Sequence, residues 1–393
     1  MLNILTIFII ISIAASFNLI SSTYRQNFIE SLPKSTSLHI CSNPEEGITP
    51  KMNLVNMELD WISMDKFRRD CDSNISAISC PENTSRSTQR LAKDEAYARA
   101  VLDAWQREAN KYSSNDIQTI GAKLEYRRRS DDKSLAGYLV TNKRLLDSNQ
   151  DQNHMAVPVV ILFHTGAGPQ DIFLRWKADS IARDKIWGDN GCIVFIADIL
   201  SDSIGWTWQD RIRYDDERLK LLEYTQGSID GALGRWYLRE SISAIFYCLE
   251  GINQVDKSKI GAIGWCMGGH PILELSTMDI NGVKALITFH GVFDGVSSIN
   301  ATIDNVANEI KSHVLVCNGK SDPFVSQESV EMCKAIMENH SCKVEVLNLE
   351  NVRHGFSNPA QDFNPSESFA FDQNAANLSW KRMRELLQKQ LTT

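Results

Sequence analysis

Along the second half of the chain, short apolar runs alternate with longer stretches of helical spacing. The runs are VPVVILFH (157–164), CIVFIADI (192–199), KIGAIGWC (259–266), VKALITFHG (283–291), HVLVCNGKSD (313–322) and CKVEVLNLE (342–350). They are rich in β-branched residues and lack strict apolar-polar alternation, as strands do when both faces are covered. Between them the spacing predicts helices near 171–187, over 232–251, after residue 266, over 326–340 and over 374–391. Strands alternating with helices give an α/β fold with a mostly parallel central sheet and helices on both faces. Ahead of this region, GAKLEYRRR (121–129) and LAGYLVTN (135–142) read as a hairpin turning at 130–132. Residues 87–112 carry apolar positions at 91, 92, 98, 101, 102 and 105, which is helical spacing. Residues 22–86 show no sustained period.

The N-terminus, MLNILTIFIIISIAASF, is an apolar run followed by small residues. It is short for a membrane span and fits a secretory signal, either cleaved or retained as an anchor. The expected organisation is therefore a signal over 1–22, an N-terminal extension over 23–115, and one α/β domain over 116–393. That organisation implies a secreted protein or one in the endomembrane lumen, touching membrane only through residues 1–20 if the signal is uncleaved.

Sites in open parallel sheets form beyond the carboxyl ends of the strands. Those ends carry FHTGAG, ADILSD, GWCMGG, FHGVFD, NGKSDP and VRHGF. The third has the form Gly-x-nucleophile-x-Gly, from Gly264 to Gly268, between an apolar strand and a helix. A turn this tight needs very small residues two before and two after the nucleophile, and it lifts the nucleophile above the sheet. The helix start also points free N–H groups at the sulfur of Cys266, favouring thiolate. Asp322 and His354 follow at later strand ends, in the chain order nucleophile, acid, histidine. The roles expected are Cys266 as nucleophile, His354 as proton acceptor or ion-pair partner, and Asp322 orienting the imidazole. The N–H of Met267 and that of Gly166 or Thr165 are the candidate oxyanion donors. His164 and His290, at other strand ends, read as structural histidines lining the site, and Trp206 and Trp208 as shaping an apolar pocket or packing their loop onto the body.

These blocks together resemble the dienelactone hydrolases, a branch of the α/β-hydrolases. The resemblance covers about residues 120–390 and rests on LAGYLV, VVILFHTGAGPQD, IGAIGWCMGGHP, ITFHGVFDG, and RHGFSNP continuing to FDQNAANLSWKRM. It implies a Cys-Asp-His triad at Cys266, Asp322 and His354. It also implies hydrolysis of a small-molecule ester or lactone through a thioester, with no metal or organic cofactor. Two positions depart from the pattern. Thr165 stands where relatives often carry glutamate, with Asp171 as a neighbouring carboxyl. Asn358 stands where a substrate-clamping arginine is expected, with Arg353 as a substitute. His164, Trp206, Arg353 and Phe356 are the candidate substrate-binding residues. The alternative reading is a catalytically silent or transferase-like protein of the same fold.

Net charge is −8, which argues against nucleic-acid binding. Nine cysteines leave an even number once Cys266 is set aside, so an exported chain has up to four disulfides to form. Cys71 with Cys80, and Cys333 with Cys342, are close enough to pair locally. Cys192, Cys248 and Cys317 lie in apolar runs, where a free thiol behaves as a small hydrophobe. Five Asn-x-Ser/Thr sequons occur, of which Asn74 and Asn83 lie in a polar loop suited to glycosylation.

Overall fold

The computed structural model describes residues 59–73, 75, 88–111, 117–147, 156–189, 191–200, 231–293 and 309–392, all within the compact unit Thr49–Thr393. The signal segment, Trp206, Trp208, Cys41, Cys80 and the sequons at Asn74, Asn83 and Asn300 lie outside the described residues.

The described strands are β1 (Ile62–Ser63), β2 (Thr119–Arg128), β3 (Lys133–Asn142), β4 (Val157–Phe163), β5 (Ile193–Ala197), β6 (Val255–Trp265), β7 (Val283–Phe289), β8 (Ser312–Gly319) and β9 (Cys342–Leu349). They form one sheet in the order β1-β2-β3-β5-β4-β6-β7-β8-β9. β1, β2, β3 and β5 pair antiparallel in turn, while every pair from β5 through β4 to β9 is parallel. The predicted hairpin is β2–β3. β2 alternates buried and exposed from Ala122 onward, whereas β4 and β5 are buried nearly throughout. An edge hairpin has one wet face; central parallel strands have none.

The helices are α1 (Met64–Ser73), α2 (Thr88–Ala109), α3 (Arg144–Asp147), α4 (Ile172–Ala182), α5 (Gly231–Glu250), α6 (Gly269–Thr277), α7 (Gln327–Asn339) and α8 (Gln373–Leu391). They cover both faces of the sheet. Added bulk at Gly261 of β6 would meet Leu387 and Leu391 of α8, whereas added bulk at Gly264, three residues on, would meet Ile272 of α6. The expected helix at 171–187 ends at Ala182, and a short 3-10 turn follows over Lys185–Trp187.

The stretch 22–86 shows no sustained period, yet it contains α1. That helix has ten residues, and Met64, Phe67 and Cys71 are its only apolar contacts with the core among many charges. Behind it, α2 buries Ala98, Val101, Leu102 and Trp105 in the same core as β3, β4 and α4. Polar bonds add to this packing. Trp105 Nε1 donates to Asp179 Oδ2 at 2.6 Å, and Trp176 Nε1 donates to Glu108 Oε2 at 2.7 Å. Arg183 bonds both Asp179 and Asp65, tying α1 to α4.

Cys333 and Cys342 do not form the local bridge their spacing suggested. Cys333 Sγ, on the buried face of α7, points to Met337 Sδ at 4.0 Å. Cys342 Sγ points to the Ser276 carbonyl at 3.8 Å. Both are free, as are the other described cysteines, Cys71, Cys192, Cys248, Cys266 and Cys317. Burial pushes the Cys317 and Cys333 thiols well above the ordinary value, so both behave as inert core residues.

Candidate active site

The parallel strands β4, β6, β7, β8 and β9 end on one edge of the sheet. β6 finishes at Trp265, and Cys266 takes φ +53 before the chain turns into α6. A non-glycine residue there is strained and is held only by a surrounding structure that leaves no alternative. The glycines supply that structure. A Cβ on Gly264 would sit 2.0 Å from the Gly268 carbonyl oxygen, and one on Gly268 would sit 2.7 Å from that of Phe163. The Val292 N–H donates to the Cys266 carbonyl at 2.8 Å and pins the turn against the loop after β7.

Asp322 and His354 are brought together by β8 and β9. Gly319 ends β8, and any Cβ there would lie 2.2 Å from the Val352 carbonyl oxygen. Its bareness lets the loop after β9 close onto the loop after β8. Ser321 N–H then donates to that same Val352 carbonyl at 3.1 Å. The outcome is a bond of 2.7 Å between His354 Nδ1 and Asp322 Oδ2, with both side chains buried. The other Asp322 oxygen accepts from the Phe324 N–H at 2.9 Å. A bridge to residues 368–370 fixes the His354 backbone on its far side.

The opposite ring nitrogen of His354 hydrogen-bonds Cys266. Burial alone pushes the Cys266 thiol up. The His354 charge, the bond to His354 and the N–H groups of Gly166 and Met267 outweigh burial and hold the thiol below its ordinary value. Burial likewise opposes a charge on His354, but the sulfur beside it and its bonds to Asp322 and Cys266 raise its pKa to about 10. The pair therefore favours thiolate and imidazolium. Of the two residues considered beside Met267 as donors, it is Gly166 whose N–H meets the sulfur. Thr165 supports the loop instead: its hydroxyl accepts from the Ala167 N–H at 3.0 Å, and its carbonyl accepts from the Gly168 N–H at 3.1 Å.

Other predicted residues fall into place around this centre. His290 lies edge-on to His354, ring centroids 4.7 Å apart, with Nε2 3.2 Å from the Ser357 hydroxyl. Burial and the neighbouring His354 push its pKa down, so it is a neutral ring. His164 is buried and pushed down to about 4, with Nδ1 2.7 Å from the Thr165 carbonyl. Phe356 is fully buried, edge-on to His290 at 5.4 Å, so it backs the site and does not line an open pocket. Arg353 is exposed and donates to the Glu367 carbonyl at 3.0 Å. Phe324 and Phe369 pack on His354 with centroids 5.1 and 5.3 Å away, and Phe324 remains 47% exposed. Among the described residues, no cluster of three or more His, Cys, Asp or Glu is placed to hold a metal ion.

One contributor is absent from the sequence reading. Tyr97 of α2 donates its hydroxyl proton to Asp171 Oδ2 at 3.1 Å and accepts from Asn358 Nδ2 at 2.9 Å. Asp171 caps α4 through Phe173 N–H, and burial raises its carboxyl to about 6.

The model of the dienelactone hydrolase family matches residues 145–391. An uncharacterized protein of Caenorhabditis elegans is 27% identical over 152 residues, which is 39% of this chain and 93% of that protein. Among solved structures, a dienelactone hydrolase-like promiscuous phosphotriesterase from metagenomic libraries is 24% identical. It superposes with a TM-score of 0.51, over 70% of this chain and 99% of its own. A structure named m3DLH is 22% identical, with a TM-score of 0.50, again over 70% of this chain and 99% of its own. Both share the α/β-hydrolase fold described above.

Proposed function

Because the chain belongs to the dienelactone hydrolase family and is a hydrolase, we propose that it cleaves a carboxylic ester or lactone with Cys266 as nucleophile, His354 as proton carrier and Asp322 as the residue that orients it. The thiolate attacks the carbonyl carbon. The negative charge moves from sulfur to the carbonyl oxygen, within reach of the Met267 and Gly166 N–H groups. The carbon–oxygen bond breaks, and His354 gives its proton to the departing alkoxide. What remains is a thioester. Water then attacks it, His354 takes a proton from the water, the carbon–sulfur bond breaks, and the acid leaves with Cys266 again a thiolate. No external reductant, oxidant or metal enters this balance.

The observation that carries the reading is the bonded row Cys266–His354–Asp322, set on a strained backbone between two glycines that admit no Cβ. The exposed ring of Phe324 over His354 offers an apolar surface and favours a substrate with an apolar group next to the scissile bond. The test is hydrolysis of p-nitrophenyl acetate by the purified chain, before and after iodoacetamide. Activity should vanish on alkylation and in Cys266→Ala, and fall by about 10³-fold or more in His354→Ala. Activity that survives in Cys266→Ala would remove the cysteine from the mechanism.

The same reading takes residues 1–22 as an export signal. Sequencing the N-terminus of the mature protein, together with release of sugar by glycosidase, tests it. A cytosolic, unglycosylated chain beginning at Met1 contradicts it.

A further inference from the structure

The family match begins at residue 145, yet a side chain from the preceding helix reaches the site. Tyr97 stands between two loops that meet at Cys266. Asp171 closes the loop that carries Gly166, because it follows TGAGPQ and caps α4. Asn358 closes the loop that carries His354, because its Oδ1 caps the 3-10 turn Pro359–Phe363 through Ala360 N–H at 3.0 Å. Each partner thus spends one side-chain atom fixing its own loop and another on the same phenol hydroxyl. From this juxtaposition we infer that Tyr97 is a positioning residue of the active site, a clamp from outside the segment the family model matches that holds the Gly166 loop and the His354 loop at a fixed separation around the thiol.

A partly buried tyrosine whose hydroxyl is merely satisfied is the plain alternative. Three observations favour the clamp. The hydroxyl is the only atom of Tyr97 in these bonds, so the ring's packing and the loop link are separable. The helix is already bolted to the body elsewhere, by Trp105 to Asp179 and by Glu108 to Trp176, so Tyr97 is not needed for docking. Burial first, then the Asp171 carboxylate, and last the charge of the Cys266 sulfur hold the phenol proton in place. Asp171 is the titrating member. Tyr97 faces it from α2 and Arg175 from the next turn of α4, and both favour its ionised form against burial.

The clamp rests on the proposed cysteine chemistry only for its kinetic readout, so alkylation of Cys266 is followed alongside. In the full-length chain, Tyr97→Phe is compared with Trp105→Phe, which loosens the same helix two turns away. Tyr97→Phe should lower both kcat for p-nitrophenyl acetate and the iodoacetamide rate at neutral pH by about tenfold or more, with KM within about twofold. Trp105→Phe should lower the melting temperature and leave both rates within about twofold. The pH profile of alkylation should bend near 6 in the wild type. The bend should move to higher pH in Tyr97→Phe, because the carboxyl has lost a donor, and vanish in Asp171→Asn. Rates in Tyr97→Phe that match Trp105→Phe overturn the clamp, and so does a bend that does not move. If the wild type hydrolyses nothing yet alkylates with this profile, the clamp stands and the ester chemistry falls.

Discussion

The site is assembled in two different ways. Around Cys266 the chain does nearly everything within five consecutive residues: strand, strained residue, glycine, helix. Around Tyr97 nothing is local, since its partners lie 74 and 261 residues away in sequence. The first region is held by sterics, because neighbouring backbone leaves no room for a Cβ at Gly264 or Gly268. The second is held by hydrogen bonds from the partly buried Tyr97 to two buried polar side chains. Steric constraint fixes where the sulfur stands. The polar clamp fixes how far apart its helpers stand. The two should fail differently when damaged, one by loss of fold and the other by loss of rate.

The sharpest break is Gly264→Ala. Its Cβ would lie 2.0 Å from backbone oxygen, which no side-chain rotation relieves. The variant should lose at least about 4 kcal/mol or fail to accumulate as soluble protein, as measured by urea denaturation. Next comes Asp322→Asn, which keeps the shape and removes the charge beside His354. It should keep its melting temperature within a few degrees and lose about 10³- to 10⁴-fold in kcat. Thiol reactivity against pH gives a third contrast. Cys266 is held below the ordinary thiol range and His354 above the ordinary imidazole range. The reactive thiolate should therefore be present below the pH at which a free cysteine ionises, and be lost only as pH falls through the lowered value. In His354→Ala the curve should move upward, because burial is then opposed only by the Gly166 and Met267 N–H groups. Trp105→Phe leaves Asp179 short of a donor and should cost about 1–3 kcal/mol with thiol reactivity unchanged. The smallest effect expected is at the rim, where Phe324→Ala should raise KM for an aromatic ester about two- to tenfold.

This contrast also explains what the sequence discloses. The parallel strands, the glycine-bounded turn and the order Cys266, Asp322, His354 are legible because each is a local pattern at the end of an apolar run. The hairpin β2–β3 and helix α2 are legible from periodicity. The role of α2 is not, because the residue that matters, Tyr97, breaks no pattern of its own helix. Of its partners, Asp171 stands near one departure from the family pattern and Asn358 is itself the other, but the phenol joining them is visible only in three dimensions. Local spacing misled where it was used as a proxy for contact. Cys333 and Cys342 are nine residues apart, but helix α7 turns one thiol inward while β9 turns the other toward Ser276. Arg353 adjoins His354 in sequence yet is spent on the Glu367 carbonyl, and Phe356 is sealed in the core.

The long reach from Tyr97 to Asn358 also has a consequence for biosynthesis. The helix that carries Tyr97 is made early, Cys266 midway, and Asn358 only near the end of the chain. During synthesis the thiol has neither its imidazole partner nor its clamp, and it behaves as an ordinary cysteine of a nascent polypeptide. Bond formation over such separations waits for the whole domain. On the proposed chemistry, the sulfur gains its imidazole partner and its clamp only after the last of these residues has been made.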